Sequence, residues 1–563
     1  MDARIRKLQE DGDKLFAARS TLMNWWQNAC EQFYPQRADF TITRTMGQDF
    51  AEHLTTSYPM LARRTLGNSI SAVLRPANLD TTAPGVWFNM KTEDDREEDT
   101  DTRAGLEWMT GLMRRAMYDR RSGFTRATKE GDHDFAAIGQ CVISVQLNKA
   151  RTGLLYQCHH VRDVAWCEDA EGNIETRHRK WKTNCQQLYS AFGDKVAPKV
   201  KEQLSQEGQR YNDVEVRHVM VPADQYQDGK KWRTPWVSVW FDTSNDGHIM
   251  EEVGSFSPVY LIPRFETVSG SQYALSPAAV IALPDARLVQ AITLSILEAG
   301  EKLAEPPLVA TEGAVRDDMN TMAGGLTWVD MEYDERLGPA IRPLYEPKGG
   351  EGLRSALELR AYIQDQIDKA FFLDSLSLPP SDGKEMTAFE VGQRISEWIR
   401  RAQPIWEPVE FDYNGGLCDM TFDLMIRNGF FGNLRDLPQG LKGKDIRFKF
   451  TSPLHENADR RKGQKLFEAK AAMAQTADID PTTIQILDAQ AALRDVFRSI
   501  EVPAIWTRDA RQVQAIVEQQ QQQAQLATML AGATDAAGVA KDLGAATKSF
   551  ADARAVPASP PPA

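Results

Sequence analysis

The sequence predicts an α+β protein that is mainly helical. Apolar residues recur at spacings of three and four through the first ~140 positions and again from about residue 284 onward. Between these regions, from about residue 140 to 265, the pattern changes to the alternation of half-buried strands. Pro and Gly punctuation separates the segments.

Ile5, Leu8, Leu15, Leu22, Trp26 and Phe33 predict a first helical stretch, ended by Tyr34 and Pro35. A second covers about residues 51–74 and stops at Pro76. The acidic run Glu93–Asp101 precedes apolar positions Leu106, Met109, Leu112, Met113 and Met117. Carboxylates there would complement the positive N-terminal end of that helix, and a metal site is the minority reading. Strands are expected at Val142–Leu147, Leu154–Ala165, His218–Val221 and Trp236–Phe241.

Beyond Pro284 a long helix is expected, with Leu288, Ile292, Ile296, Ala299 and Leu303 on one stripe and Pro306-Pro307 as its stop. A module with strand-like Leu308–Thr311 and Leu326–Met331 follows. A second long helix carries Leu353, Leu357, Arg360, Ile363, Ile367 and Phe371. The pair reads either as a stalk bearing a tip or as two ordinary core helices around a loop domain. Residues 373–386 are too broken for helix, and Thr387 with Glu390 forms a capping box for the next one. Ile446, Phe448 and Phe450 predict a strand, Leu466–Phe497 further helices, and Arg508–Phe550 one long Ala- and Gln-rich helix before a Pro-rich tail.

With 563 residues the chain has length for roughly three or four domains at about 150 residues each. Its 79 acids against 66 bases give a formal charge of −13, which excludes a generic DNA-coating basic protein. It does not exclude one that lets DNA pass without holding it. Six cysteines without a CxxC pair read as reduced and intracellular. Apolar stretches such as Ser276–Leu283 are far shorter than the ~20 residues of a membrane helix, so no membrane is expected.

Catalytic signatures are missing. The sequence has no G-x-x-x-x-G-K-[ST] phosphate loop, no H-E-x-x-H and no G-x-S-x-G. No enzyme activity and no cofactor are expected. The alternative is a metal-dependent enzyme using Cys158, His160, Cys167 and Cys185, near His159 and His178. Thiolate and imidazole are zinc's preferred ligands, but the spacing matches no common finger or ribbon. Lys384, beside Asp382 and Glu385 in the broken loop, is either an ordinary solvated lysine or, if repeated around a ring, part of a mixed-charge belt touching phosphates weakly.

These features together resemble the head-to-tail connector, or portal, proteins of short-tailed bacteriophages. The resemblance rests on Trp25/Trp26 with Tyr34-Pro35, Leu74-Arg75-Pro76 followed by Trp87-Phe88, and Tyr273–Pro277 leading into Ala282–Asp285. It continues with Met386–Arg394, similar to the family's T-A-x-E-V-x-x-R, and with Thr451–Leu454 after a strand. Ala274 stands where the family usually has Gly, and the segment after Pro76 looks longer than usual.

The resemblance implies a phage portal fold and a ring of self-associated subunits, usually twelve, around a channel for double-stranded DNA. Residues 1–283 and 387–470 would form the wing, 284–305 and 351–372 the two-helix stem, and 306–350 the clip. Residues 373–386 would form the tunnel loop, with Ser381, Asp382, Gly383, Lys384 and Glu385 next to DNA. Residues 471–505 would form the crown, 506–550 a barrel helix and 551–563 a disordered tail. Asp330, Glu332, Asp334 and Glu335 are the clip residues expected to meet partners. Those partners would be terminase, then the tail adaptor, with major capsid and scaffolding proteins around the ring. The location would be the capsid vertex of a virion assembled in the host cytoplasm. Another virion component, such as a minor capsid or adaptor protein, is the other structural alternative.

Overall fold

The computed structural model describes residues 2–45, 47–76, 87–93, 99–226, 232–243, 247–304, 306–310, 336, 341–343, 351–376, 397, 400–401, 403, 406–407, 409–433, 437–441, 443–450, 463, 465–473, 488–499, 502–508 and 512–526. The chain divides into two compact units. The first holds Met1–Asn89, Met109–Asp436 and Phe448–Lys462; the second holds Met90–Trp108, Leu437–Arg447 and Gly463–Ala563. Helix and strand are mixed, as the apolar periodicity predicts.

The first unit opens with helices α1 (Ala3–Ala18) and α2 (Ser20–Phe33), where the sequence pattern suggested one. The break at Arg19 has a physical cause. Its guanidinium is buried and donates to the carbonyls of Val161, Val164 and Arg162, which pulls the chain off the helical path. Helix α3 (Tyr58–Leu74) starts later than the expected residue 51, with Pro59 in its first turn, where a missing N–H leaves no bond unmade. Strand β1 (Phe88–Thr92) follows, and the rings of Phe88 and Trp87 meet those of Phe448 and Phe450 at 5.9 and 6.4 Å. Helix α4 (Thr100–Met117) is capped by Asp99, whose carboxylate accepts the Thr102 N–H at 2.8 Å, the role the acidic run predicts. Helix α5 (Phe124–Ile138) ends at Gly139.

Gly139 has φ +86°, and a Cβ there would lie 2.3 Å from the Leu275 carbonyl oxygen. Both the backbone conformation and the close approach require glycine. Gly139→Ala is therefore expected to destabilise this unit by about 2–3 kcal/mol, from left-handed strain plus a displaced backbone, read as a lower denaturant midpoint.

Strands β2 (Val142–Leu147), β3 (Leu154–His159), β4 (Val164–Glu168) and β5 (Ile174–Asn184) come next. Helices α6 (Cys185–Phe192) and α7 (Pro198–Ser205) then precede β6 (Asp213–Pro222), β7 (Trp236–Asp242), β8 (His248–Ser255) and β9 (Tyr260–Leu261). Strands β4 to β8 form one antiparallel sheet in sequence order, while β3, β2 and β9 form a smaller one. The expected single strand over Leu154–Ala165 is two strands, because Val161–Asp163 turns between them. Strand β6 is buried on both faces. Val219 and Val221 pack with Ile5 and Leu8 of α1; Val214 and Val216 pack with Leu188 of α6 and Val200 of α7.

A π-helical turn, Ala278–Ala282, runs directly into α8 (Leu283–Ala304). The helix is thus continuous through Pro284 rather than starting there. The apolar stretch is therefore longer than Ser276–Leu283 alone. Within the 25 residues Ala278–Lys302 the most apolar 18-residue stretch has mean hydropathy 1.5, so among the described residues one helix is long and apolar enough to cross a membrane by length and composition alone. Strands β10 (Leu308–Ala310) and β11 (Ile341–Pro343) pair antiparallel at the end of α8, and α9 (Glu351–Ala370) packs along α8. A second π turn, Glu410–Gly415, leads into the helix Gly416–Arg427. In the second unit, the backbone N–H of Ala504 donates to both carboxylate oxygens of Glu107 at 2.9 and 3.1 Å.

Candidate functional site: the paired long helices

The sequence places Leu288, Ile292, Ile296, Ala299 and Leu303 on the core stripe of α8. The structure corrects this in part: Ile292, Ile296 and Ala299 are half-buried, and the side chain of Leu303 lies outside the described residues. The positions buried are Ala282, Ala286, Val289 and Thr293, at spacings of four, three and four, while Leu288 is 46% exposed. Small side chains face inward because α8 lies close against its neighbours. The larger leucines are left outside, and Leu294 and Leu297 are 47% and 53% exposed.

The exposed leucines are not scattered. Nine residues at about 100° each put Leu288 and Leu297 on opposite sides of the helix. Between them the outermost strip carries Arg287, Glu298 and Lys302, all exposed. Helix α9 repeats the arrangement. It buries Ile363, Ile367 and Ala370 and exposes Leu357 on one flank and Leu359 and Tyr362 on the other, with Tyr362 at 61%. Leu357 and Tyr362 lie about 140° apart. The strip between them carries Arg354, Glu358, Asp365 and Lys369, tied by ion pairs Arg354–Glu358 (3.2 Å) and Lys369–Asp365 (2.6 Å). Each helix therefore shows a solvated charged edge and two separate apolar flanks. The sequence signal that marks them is the pair of small residues Ala282 and Ala286, one turn apart on the close-packed side.

The base of the pair is anchored in the first unit. Gln290 of α8 accepts from the backbone N–H groups of Thr55 and Thr56 at 2.8 Å each and donates to the Thr56 carbonyl at 3.0 Å. The Tyr58 hydroxyl donates to Asp368 of α9 at 2.6 Å. Burial pushes the Tyr58 phenol above its ordinary value, and the Asp368 carboxylate adds to this, so the phenol stays a donor at neutral pH. Phe371, at the end of α9, is fully buried against Phe33 at 5.3 Å.

The sequence-predicted site residues fall elsewhere. Ser381, Asp382, Gly383, Lys384 and Glu385 lie outside the described residues, as do Asp330, Glu332, Asp334 and Glu335.

Cys158, His160, Cys167 and Cys185 are described, and they are not assembled into a metal site. Cys158 sits on β3 opposite Ile143, with its thiol 3.8 Å from Asp134. His160 caps a turn: its Nδ1 accepts the Arg162 N–H at 3.0 Å, so Nε2 carries the proton and donates to Asp39 at 2.5 Å. Burial works against the Asp39 carboxylate, but His160 and Arg162 outweigh it and hold it down at about 2. Cys167 is on β4, and Cys185 is the first residue of α6, buried in a core cluster with Val200 of α7 and Val214 and Val216 of β6. His178 is buried, which, together with Arg217, pushes it down to about 4. Among the described residues no group of three or more His, Cys, Asp or Glu could hold a metal ion. The alternation that put Cys158 and His160 on one strand face ends at His159, where the chain turns.

Burial also pushes the thiols of Cys30, Cys141, Cys158, Cys185 and Cys418 up, because a thiolate is poorly solvated there. At pH 8, no more than about two of the six should react promptly with a thiol reagent, and all six after denaturation. Prompt reaction of four or more in the folded protein would contradict this packing.

The chain matches the bacteriophage head to tail connecting protein family over residues 6–505. This chain belongs to that family. The expectation of a phage head-to-tail connector, or portal, is therefore borne out. The connector is similar to the probable portal protein of Bordetella phage BPP-1, 24% identical over 78% of this chain and 77% of that protein. It is also similar to the portal protein of Salmonella phage epsilon15, 25% identical over 66% of each. Among solved structures, it aligns with a chain of the virion of a native gene transfer agent particle at TM-score 0.36 and 10% identity, covering 74% of this chain and 86% of the other. A chain from the neck of an empty particle of that agent aligns at TM-score 0.36 and 11% identity, covering 74% and 87%.

Proposed function

We propose that this connector is the portal subunit, closing with further copies, twelve in all, into a ring at one capsid vertex through which duplex DNA enters and leaves. The observation that carries the ring is the pair of apolar flanks on α8 and α9, separated by a charged strip. A subunit with two different lateral faces assembles head to tail, and such contacts close into a ring when the rotation allows. In this reading residues 284–305 and 351–372 are the stem and 306–350 the clip. Residues 373–386 are the tunnel loop, 1–283 and 387–470 the wing, 471–505 the crown, 506–550 a barrel helix and 551–563 the tail.

The role is passive. The portal holds no cofactor and catalyses no reaction; terminase docks on the clip to drive DNA inward, and the tail adaptor replaces it. Asp330, Glu332, Asp334 and Glu335 would meet these partners, and capsid and scaffolding proteins would surround the ring in the host cytoplasm before the virion is complete. Ser381, Asp382, Gly383, Lys384 and Glu385 would line the narrowest part of the channel, where a belt of mixed charge lets DNA slide.

Particle mass and electron microscopy of the purified chain test the ring directly. The tunnel loop has a separate test. Asp382→Ala, Lys384→Ala and Glu385→Ala together should leave rings intact but lower the fraction of full heads. Normal full heads from that variant would remove the tunnel-loop assignment.

A further inference from the structure

The chain carries a net excess of acid, yet one short segment runs the other way. Between residues 114 and 129 stand Arg114, Arg115, Arg120, Arg121, Arg126 and Lys129, against one acid, Asp119. The segment joins the end of α4 to the start of α5, entirely within the first unit. Arg115, Arg120, Arg121, Arg126 and Lys129 are all exposed.

Some of this charge has a local role. Arg114 and Arg115 sit in the last turn of α4, where cations complement the negative helix end. Arg126 pairs with Glu130 at 3.1 Å. Arg120 and Arg121 have no such explanation, because neither guanidinium has a partner among the described residues.

The turn that presents them is rigidly built. The Arg121 N–H donates to the Asp119 carboxylate at 2.7 Å, and the Ser122 hydroxyl donates to the carbonyls of Met117 and Asp119. Gly123 has φ +69°, and the Tyr156 N–H donates to the Ser122 carbonyl at 2.7 Å, tying the turn to β3. The two arginines thus project from a fixed support rather than from a loose loop.

We infer that this turn is a second contact surface for the phosphate backbone of duplex DNA, outside the channel loop. The chemistry favours a polyanion over a protein. A protein interface is organised around buried apolar side chains, and Tyr118 is the one large apolar residue of 114–130 that is exposed, at 38%. Exposed guanidinium groups suit phosphate oxygens, which they bind by charge and by bidentate hydrogen bonds. With a whole-chain charge of −13, such binding is local and sequence-independent, and it weakens steeply with salt. The inference rests on the portal reading only in that this reading brings duplex DNA to the protein.

The test is fluorescence anisotropy of a labelled 30-base-pair duplex with the full chain across a salt series, comparing Arg120→Ala/Arg121→Ala with wild type. Lys195→Ala/Lys201→Ala, exposed elsewhere, removes the same charge as a control. The turn variant should bind about tenfold more weakly at about 50 mM salt and lower the slope of log affinity against log salt by about two. The control should change little, and all three proteins should melt alike. Equal binding by the turn variant and wild type, or equal loss in the control, would overturn the proposal. So would a turn variant that loses binding to labelled polyglutamate but keeps DNA binding, since that would make the surface a receptor for anions other than DNA. Particle mass is read on the same samples, so failure of DNA contact is distinguishable from failure to form rings.

Discussion

Asp132→Ala is expected to lower the stability of the first unit by about 3–5 kcal/mol, read from the denaturant midpoint of that unit's transition. The Asp132 carboxylate meets Arg75 in a pair whose side chains are 1% and 3% exposed. Burial works against the charge on Arg75, but the facing carboxylate outweighs it and holds the guanidinium protonated. Arg75 also donates to the Asn414 side chain at 3.0 Å and lies 4.6 Å over the Tyr413 ring, while Asn414 donates back to the Leu74 carbonyl at 3.0 Å. One cation therefore joins the end of α3, the middle of α5 and the π turn at 410–415. Removing Asp132 leaves that cation buried without its counter-charge, and this penalty, rather than the lost attraction, sets the size of the effect. It follows that Arg75→Met/Asp132→Leu, which removes both charges, should be less destabilised than Asp132→Ala alone. Additive losses in the double variant would mean that the two groups do not act as a pair.

Arg75 also illustrates what the sequence could and could not reveal. It stands in the Leu74-Arg75-Pro76 motif that helped place the chain in its family, and Pro76 correctly marked the end of α3. Nothing in the motif indicated that its partners lie 57 and 339 positions away. Long helices were legible because periodicity over some twenty residues is a strong signal, and α8 and α9 fall close to where the apolar pattern put them. Strands β5 and β8 were not legible. β5 reads IETRHRKWKTN, whose charged residues pair and stack on neighbours within the sheet, as Arg179 does over Trp181 at 3.9 Å, so alternation in hydropathy is lost. The face of α8 was misjudged for the opposite reason. The pattern assumes that the largest apolar residues go inward, and here close helix packing selected the small ones. That exception is itself the clue to assembly, since large apolar residues left outside mark a surface to be covered.

The two-flank geometry makes a further expectation that separates a ring from any symmetric dimer. If the Leu288 flank of one subunit meets the Leu297 flank of the next, a charge at either position breaks every junction. Leu288→Glu alone and Leu297→Glu alone should each give monomers by light scattering, because burying an unpaired carboxylate costs several kcal/mol and each junction in the ring carries the defect. Mixing the two variants is the decisive step. A Leu288→Glu subunit keeps an intact Leu297 flank, and a Leu297→Glu subunit keeps an intact Leu288 flank. One sound junction can form between them, and the two outer flanks of that pair are both spoiled. The mixture should therefore stop at a heterodimer. An interface in which each flank met its own copy would behave differently: Leu297→Glu would still dimerise through Leu288 by itself, and mixing would add nothing. Rings surviving in either single variant would place the lateral contacts away from α8.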